Sequence, residues 1–169
     1  MTEWVQVVGD TSLRVVAEHG VVRSAVFVDD NDDSGDPDPK VADALERYND
    51  GDRHSFDHLT VDFGVVTPFT ADVLRELRRI PFGELRSYGQ IADAVGNPRA
   101  ARAIGRAVGS NPICVIVPCH RVVAFDGTLG GFSGGLDNKR ALLAHEGVDG
   151  LKGGQESVRY LSSAARGNA

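Results

Sequence analysis

The chain has 169 residues, a formal net charge of −6 and 41% hydrophobic residues, with a mean hydropathy of −0.17. This length can bury the core of one large domain or two small ones, and no apolar run is long enough to suggest a membrane span. Residues 1–30 lack the basic-then-apolar pattern of a signal peptide, so we expect a cytoplasmic protein with no membrane partner.

The charge is distributed unevenly along the chain. Residues 1–68 hold 15 acidic and 5 basic residues, whereas residues 69–169 hold 9 acidic and 13 basic ones. This asymmetry predicts two domains, at 1–66 and 67–150, followed by a tail at 151–169. Any polyanionic partner should meet the second domain, where five arginines and a single carboxylate lie between Arg86 and Arg121.

Short apolar runs at 4–8, 13–17 and 21–28, separated by turn residues, predict a small antiparallel sheet in the first domain. Residues 29–39 form an acidic stretch too polar to pack, and their spacing does not match a calcium loop, so we expect a solvated loop without metal. A short helix at 39–48 and a strand at 59–63 should follow.

The second domain begins with helix signals. Thr67 and Pro68 form an N-cap with proline at the first helical position, and Pro81 should end that helix. Ser87 opens a second helix with a capping box, and a third helix is predicted over 99–108 after Asn97-Pro98. Two short helices joined by a glycine-containing turn indicate a helix-turn-helix, so the predicted fold is α+β, with a small N-terminal α/β domain and a mainly helical second domain.

The predicted third helix carries a basic face. Arg99, Arg102 and Arg106 fall within about 60° of one another at helical spacing. The helix is rich in alanine, including Ala101, so its backbone could approach a duplex closely. An ordinary solvated arginine face is the alternative, and the preceding helix and the charge asymmetry favour DNA.

Cys119 and His120 are adjacent within an apolar segment and are followed by Arg121. A thiol becomes a strong nucleophile as thiolate, which a neighbouring base or positive charge promotes. The alternative is a small buried cysteine beside a surface histidine. If the segment is extended, Cys114 and Cys119 point to opposite faces, which disfavours a disulfide, and reduced thiols fit a cytosolic protein.

A glycine-rich loop at 130–135 surrounds Phe132 and Ser133, and such a loop suits backbone that approaches a ligand closely. A phosphate-binding loop is the rival interpretation, but the Gly-Lys-Ser/Thr ending is absent. A last helix is predicted over 137–146, capped by Gly147.

Taken together, these segments resemble the 6-O-alkylguanine-DNA alkyltransferases over about residues 69–147. The motifs that carry the resemblance are SYGQIA at 87–92, NPRAARAIG at 97–105, Asn111-Pro112, PCHRV at 118–122, GFSGG at 131–135 and LLAHEG at 142–147. The resemblance implies direct and irreversible transfer of an alkyl group from the 6-oxygen of guanine, and from the 4-oxygen of thymine, to Cys119. It implies a single turnover, no cofactor and a monomer.

The resemblance also assigns catalytic roles. His120 would generate the Cys119 thiolate through a water, with Glu146 fixing the imidazole; the sequence alone does not choose between His145 and Glu146. Tyr88 would donate a proton at the leaving base and push the phosphate beside the target nucleotide. Asn111 would brace the turn before the nucleophile.

DNA that contains alkylated guanine is the implied partner, with the third helix docked in the minor groove and the target base flipped. Arg102 would fill the space that this base leaves, the Ser133 backbone would bind the 6-oxygen, and the Val122 carbonyl would accept from the exocyclic amine. The DNA-contacting residues would be Arg99, Ala101, Arg102, Arg106, Arg121 and Tyr88. The base pocket would be formed by Val122, Phe132, Ser133 and Gly134.

Two positions depart from the resemblance: Cys114 stands where many relatives have proline, and Phe132 where tyrosine is common. Some relatives carry an N-terminal zinc site, but this chain has no cysteine before Cys114, so we expect no metal. The alternative functions are a non-catalytic binder of alkylated bases, which would lack the acceptor cysteine, and a thiol hydrolase that turns over. A purely transcriptional helix-turn-helix would leave PCHRV and the glycine-rich loop unexplained.

Overall fold

A computed structural model describes residues 1–29 and 34–148. The predicted tail at 151–169 and part of the acidic loop lie outside the described residues. The elements, in chain order, are β1 (Thr2–Val8), β2 (Thr11–Glu18), β3 (Val21–Phe27), α1 (Pro39–Asn49), β4 (Thr60–Val61), α2 (Pro68–Leu77), β5 (Arg86–Ser87), α3 (Tyr88–Ala94), α4 (Ala101–Gly109), a 3-10 turn (Cys119–Arg121), β6 (Val122–Val123) and α5 (Leu136–His145). The α+β fold class is confirmed.

The N-terminal sheet has the order β1-β2-β3-β4. The first three strands are antiparallel, as predicted. On β2 the alternate residues Leu13, Val15 and Ala17 are buried, while the residues between them are more exposed, as expected of a strand with one face on the core. β4 is shorter than predicted and pairs parallel to β3, so the sheet is mixed.

The helix-turn-helix consists of α3 and α4, with α2 packed against both. The Thr67 cap of α2 and the capping box of Ser87 and Gln90 on α3 are confirmed. The predicted start of α4 at Arg99 is wrong. Asn97 and Pro98 head a turn in which the Asn97 carbonyl accepts from Ala100 N at 3.0 Å, and the helix begins only at Ala101.

One main core cluster contains buried residues from both predicted domains, from Trp4 in β1 to Leu142 in α5. The two predicted domains share this core, and the boundary between them at residue 66 stays a prediction. A short parallel pair that was not predicted, β5 with β6, links the start of α3 to the residues that follow Cys119. A smaller cluster contains Leu85, Val123, Leu129 and Leu143.

Candidate active site and nucleic-acid interface

The residues that precede the candidate nucleophile form a turn held on the N-terminal sheet. Asn111 braces this turn with both ends of its amide, donating from Nδ2 to the Val117 carbonyl at 2.9 Å and accepting from Ile113 N at 3.0 Å. The main chain of Ala25 in β3 exchanges hydrogen bonds with the same turn, accepting from Cys114 N at 2.7 Å. Asn111 thus lies where the predicted bracing role requires it.

The segment is not extended, so the argument from opposite faces does not apply: the turn brings the two thiols together, and both cysteines are free. Val115 sits at φ 69°, a left-handed conformation that reverses the chain between Cys114 and Cys119. The Cys114 thiol donates to the Asn111 carbonyl at 3.9 Å, and its interaction with Cys119 is the largest cause that lowers the pKa of Cys119. Burial opposes this lowering of the Cys119 pKa, whereas the Asn111 side chain and the charge of Lys139 add to it. The Cys119 thiol is therefore easier to ionise than an isolated cysteine.

The 3-10 turn carries Cys119 directly into His120, whose side chain is fully buried. Its Nε2 lies 2.7 Å from Glu146 Oε1. Glu146 occupies the C-cap of α5, whereas His145 points elsewhere and bonds the Tyr48 carbonyl at 2.9 Å. The geometry thus selects Glu146 over His145 as the histidine's partner.

The protonation states of this pair follow from their surroundings. Burial lowers the pKa of His120, and Glu146 opposes that shift only in part. Burial alone would raise the pKa of Glu146, but His120 and Arg121 together hold it well below its usual range. An ionised Glu146 can only accept, so Nε2 of a neutral His120 carries the proton. Nδ1, which has no partner among the described residues, is left as a proton acceptor.

Arg121 is buried rather than exposed, so its predicted DNA contact is wrong. Its side chain is buried and forms a bidentate pair with Glu146, from Nε to Oε2 at 2.9 Å and from Nη2 to Oε1 at 2.8 Å. Nη1 donates to the Ile80 carbonyl at 2.7 Å. The sequence around Arg121 does not distinguish a buried arginine from an exposed one, and only its pairing with Glu146 marks it as internal.

Two further donors to Glu146 were missed in the sequence. The Tyr48 hydroxyl donates to Oε1 at 2.7 Å and the Gly83 main chain donates to Oε2 at 3.2 Å. Gly83 has φ 77°, and a Cβ there would lie 3.1 Å from the Glu146 carbonyl, so glycine fits this close approach. Because Tyr48 lies 98 positions from Glu146, no local pattern could have linked them.

Lys139 is a further residue of the site that was not predicted from the sequence. Its ammonium is buried, donates to the Val122 carbonyl at 2.7 Å and to the Leu129 carbonyl, and lies 5.6 Å from the centre of the Phe132 ring. Burial lowers its pKa to about 8, against the opposing effect of Cys119. Its helical spacing from Leu142 on the buried face of α5 is the signal that could have found it.

The glycine-rich loop packs on the edge of the N-terminal sheet. The Phe132 ring meets Phe27 of β3 edge-on, with centroids 5.8 Å apart. A Cβ at Gly134 would come within 2.4 Å of the Phe27 ring, so any larger residue there would displace the loop. The predicted pocket residue Val122 is buried, and its carbonyl already accepts from Lys139; a carbonyl oxygen can accept a second bond.

Tyr88 and Ser133 tie the same loop to the helix-turn-helix. The Tyr88 hydroxyl donates to the Gly131 carbonyl at 3.4 Å, and the Ser133 hydroxyl to the Gly109 carbonyl at 3.1 Å. Burial raises the pKa of Tyr88, and the negative charge of Cys119 adds to that effect. Tyr88 therefore stays protonated near the thiolate and can donate.

The basic face of the helix-turn-helix is exposed. Arg102 and Arg106 extend from α4 with Ala101 beside them, while Arg99 lies in the preceding turn rather than on the helix. In residues 1–29 and 34–148, the side chains of these three arginines have no hydrogen-bond or ion-pair partner. Every other arginine of the same ranges contacts a carboxylate or a carbonyl. These are Arg14, Arg23, Arg47, Arg53, Arg75, Arg78, Arg79, Arg86, Arg121 and Arg140.

No helix in the described part of the chain combines the length and apolar character needed to cross a membrane. Nor do the described residues bring three metal-binding side chains of the His, Cys, Asp or Glu type together.

In a comparison with known protein families, residues 68–148 match the family model of the 6-O-methylguanine DNA methyltransferase DNA-binding domain. The methylated-DNA–protein-cysteine methyltransferase of Shigella flexneri is 47% identical over 107 residues, which span 63% of this chain and 62% of that protein. The Mycobacterium tuberculosis H37Rv protein of the same name is 48% identical over 114 residues, or 65% and 68% of the two chains. A crystal structure of M. tuberculosis OGT in complex with DNA superposes with a TM-score of 0.69 at 36% identity, covering 84% of this chain and 90% of that one.

Proposed function

The chain belongs to the 6-O-methylguanine DNA methyltransferase family, and on that premise we propose that it repairs alkylated DNA by direct reversal. It accepts a methyl or larger alkyl group from the 6-oxygen of guanine, and from the 4-oxygen of thymine, onto Cys119. The observation that carries this proposal is the buried Cys119-His120-Glu146 arrangement, in which a thiol of lowered pKa lies next to a neutral histidine bonded to an ionised carboxylate.

Thiol activation is the first step. The Nδ1 lone pair of His120 takes the Cys119 proton through a water, and Glu146 stabilises the resulting imidazolium through Nε2–H. The thiolate then attacks the alkyl carbon. A sulfur–carbon bond forms, the carbon–oxygen bond breaks, and its electron pair moves to the guanine oxygen.

The departing base needs a proton, and Tyr88 supplies a donor close to the thiolate. The Ser133 backbone binds the 6-oxygen, and the Val122 carbonyl accepts from the exocyclic amine. Phe132 and Gly134 form the wall over the base. The contact of Phe132 with Phe27 supports this role because it holds the ring in place before substrate arrives.

DNA is recognised by the exposed arginines. Arg99 and Arg106 contact phosphates, while α4 enters the minor groove with Ala101 at its closest approach. Arg102 fills the space left by the flipped base. The absence of internal partners for these three side chains, within the described ranges, supports an external polyanion as their partner.

A single turnover follows from the product, since a thioether at Cys119 has no return path on this chain. One protomer supplies every group named here, which supports a monomer. Two free thiols at the site suit a reducing compartment, so we place the activity in the cytoplasm.

The test is mass spectrometry after mixing the protein with duplex DNA that contains 6-O-methylguanine. The peptide that holds Cys119 should gain one methylene, at no more than one equivalent per protein. Cys119→Ala should abolish the transfer, and Cys114→Ala is the matched control that should keep it.

Other outcomes separate the alternatives. More than one product molecule per protein would indicate a thiol hydrolase. Binding to alkylated DNA with an unmodified Cys119 would indicate a non-catalytic damage binder and would overturn the proposal.

A further inference from the structure

The Glu146 carboxylate is the most heavily bonded side chain of the site. Its Oε1 accepts from the Tyr48 hydroxyl at 2.7 Å and from Arg121 Nη2 at 2.8 Å, and lies 2.7 Å from His120 Nε2. Its Oε2 accepts from Arg121 Nε at 2.9 Å and from Gly83 N at 3.2 Å. Tyr48 is therefore bonded to the same oxygen that receives the catalytic histidine.

Tyr48 reaches Glu146 from the N-terminal segment, which carries no family motif. It lies on the buried face of α1 together with Val41, Ala44 and Leu45. The other donors come from residues 83, 120 and 121. The carboxylate that partners His120 is thus held from both predicted domains.

Packing fixes the direction of the Tyr48 hydroxyl. Its ring stacks on Phe56 with centroids 5.2 Å apart and an interplanar angle of 21°, and meets Phe82 edge-on at 5.6 Å. His145 lies against it at 5.0 Å. With the ring enclosed on these sides, the hydroxyl has a fixed target in Oε1.

We propose that Tyr48 is a positioning residue for alkyl transfer, whose hydroxyl holds Glu146 Oε1 opposite His120 Nε2 and limits the negative charge that this oxygen presents to the histidine. The proposal rests on the proposed function, since it assumes that neutral His120 is the base that activates Cys119.

The charged and titratable groups around His120 are Glu146 and Arg121 in direct contact with each other, Lys139 from α5, Cys119 next in the chain, and Tyr48 from α1. Removing only the Tyr48 hydroxyl leaves the charges of the other groups in place. Oε1 then presents more negative charge to His120 and holds the proton on the imidazolium more strongly. Neutral His120 should appear only at higher pH.

The experiment measures the single-turnover rate of Cys119 methylation against pH in the full chain, using duplex DNA with 6-O-methylguanine. Tyr48→Phe should react on the order of tenfold more slowly at neutral pH, because a larger fraction of His120 is then protonated and unable to act as the general base. Its acid limb should move to higher pH, while the final extent stays at one methyl per protein.

Thr11→Val is the matched control. It removes a buried hydroxyl from β2 of the N-terminal sheet, one that donates to the Val8 carbonyl at 2.7 Å and makes no hydrogen bond to Glu146. It should lower stability and leave the pH profile unchanged. A Tyr48→Phe profile that superimposes on the wild type, or an equal displacement in Thr11→Val, would overturn the proposal.

A second variant covers the case in which Tyr48→Phe does not fold. Placing 3-fluorotyrosine at position 48 keeps the ring and makes its hydroxyl a stronger donor. The acid limb should then move to lower pH, and a movement to higher pH, or none, contradicts the assignment.

Failure of the proposed function has a different signature. If wild-type Cys119 takes no methyl group from DNA, the function is wrong whatever Tyr48 does. The pH dependence of Cys119 alkylation by iodoacetamide, in wild type and Tyr48→Phe, would then still test the link between Tyr48, Glu146 and the thiol. An identical dependence in the two proteins would overturn that link.

Discussion

The buried cluster around Glu146 and the exposed surface at α4 both depend on arginine, but they use it in opposite ways. Each of the three guanidinium nitrogens of Arg121 donates a hydrogen bond inside the protein, to Glu146 or to the Ile80 carbonyl. Arg102 and Arg106 make no such contact within the described part of the chain. The groups around Glu146 are thus held in place within the protein itself, whereas the exposed arginines of α4 remain available to the DNA that we propose as their partner.

This contrast has an energetic basis. A buried carboxylate is tolerated only when hydrogen bonds and opposite charge replace water, so each donor to Glu146 is needed. Exposed arginines stay hydrated and carry no such requirement, and their replacement should leave the fold intact.

The strongest test of the comparison is Arg121→Met. Losing the bidentate partner leaves Glu146 buried and undercompensated, which should lower the free energy of unfolding by about 3–5 kcal/mol. Urea denaturation measures this loss, with Arg106→Ala as the exposed control, expected within about 0.5 kcal/mol of the wild type. Equal effects in the two variants would remove the distinction between the regions.

Arg102→Ala should show the reverse pattern, with unchanged stability and impaired repair. Without a side chain to occupy the space of the flipped base, repair in duplex DNA should slow on the order of 10- to 100-fold, since base extrusion costs a few kcal/mol. The measurement compares the single-turnover rates of Arg102→Ala and wild type on duplex DNA and on free 6-O-methylguanine. An equal loss on both substrates would contradict the assigned role.

A smaller effect is expected from Cys114→Ala, because Cys114 lies in the buried site but carries no formal charge. The Cys114 thiol is the largest cause that lowers the pKa of Cys119. Its removal should raise that pKa, so thiolate forms only at higher pH and reaction with iodoacetamide slows at neutral pH by less than about tenfold.

Cys114→Ser is the control for that prediction, because it keeps a hydrogen-bond donor at the same position. Its pH dependence should lie closer to wild type than that of Cys114→Ala. The reverse order would show that the pKa of Cys119 is set by its other neighbours.

The features that the sequence predicted well are local ones. The caps at Thr67 and Ser87, the alternating burial of β2 and the two short helices each follow from a few neighbouring residues. The motif at 118–122 is local in the same way, and it is the basis for proposing Cys119 as the nucleophile. The exact start of α4 was missed because Asn97-Pro98 suits a helix start and a turn equally well.

The features that were missed depend on contacts across the fold. Tyr48 meets Glu146 only after α1 packs against the C-terminal end of α5, and Arg121 turns inward only because Glu146 is there. The reversal at Val115 has no local signal, since a β-branched residue rarely adopts positive φ. Tertiary contacts stabilise it, and with it the meeting of the two cysteines.

The turn that precedes Cys119 is attached to the N-terminal sheet through the main chain of Ala25, which donates to the Pro112 carbonyl at 2.9 Å and accepts from Cys114 N. A peptide group presents the same donor and acceptor whatever side chain it carries. Almost any exposed residue among the first 66 can therefore be substituted without loss of the turn that positions Cys119, provided that a strand still passes at this point. An unrecognisable segment can serve as a dependable scaffold.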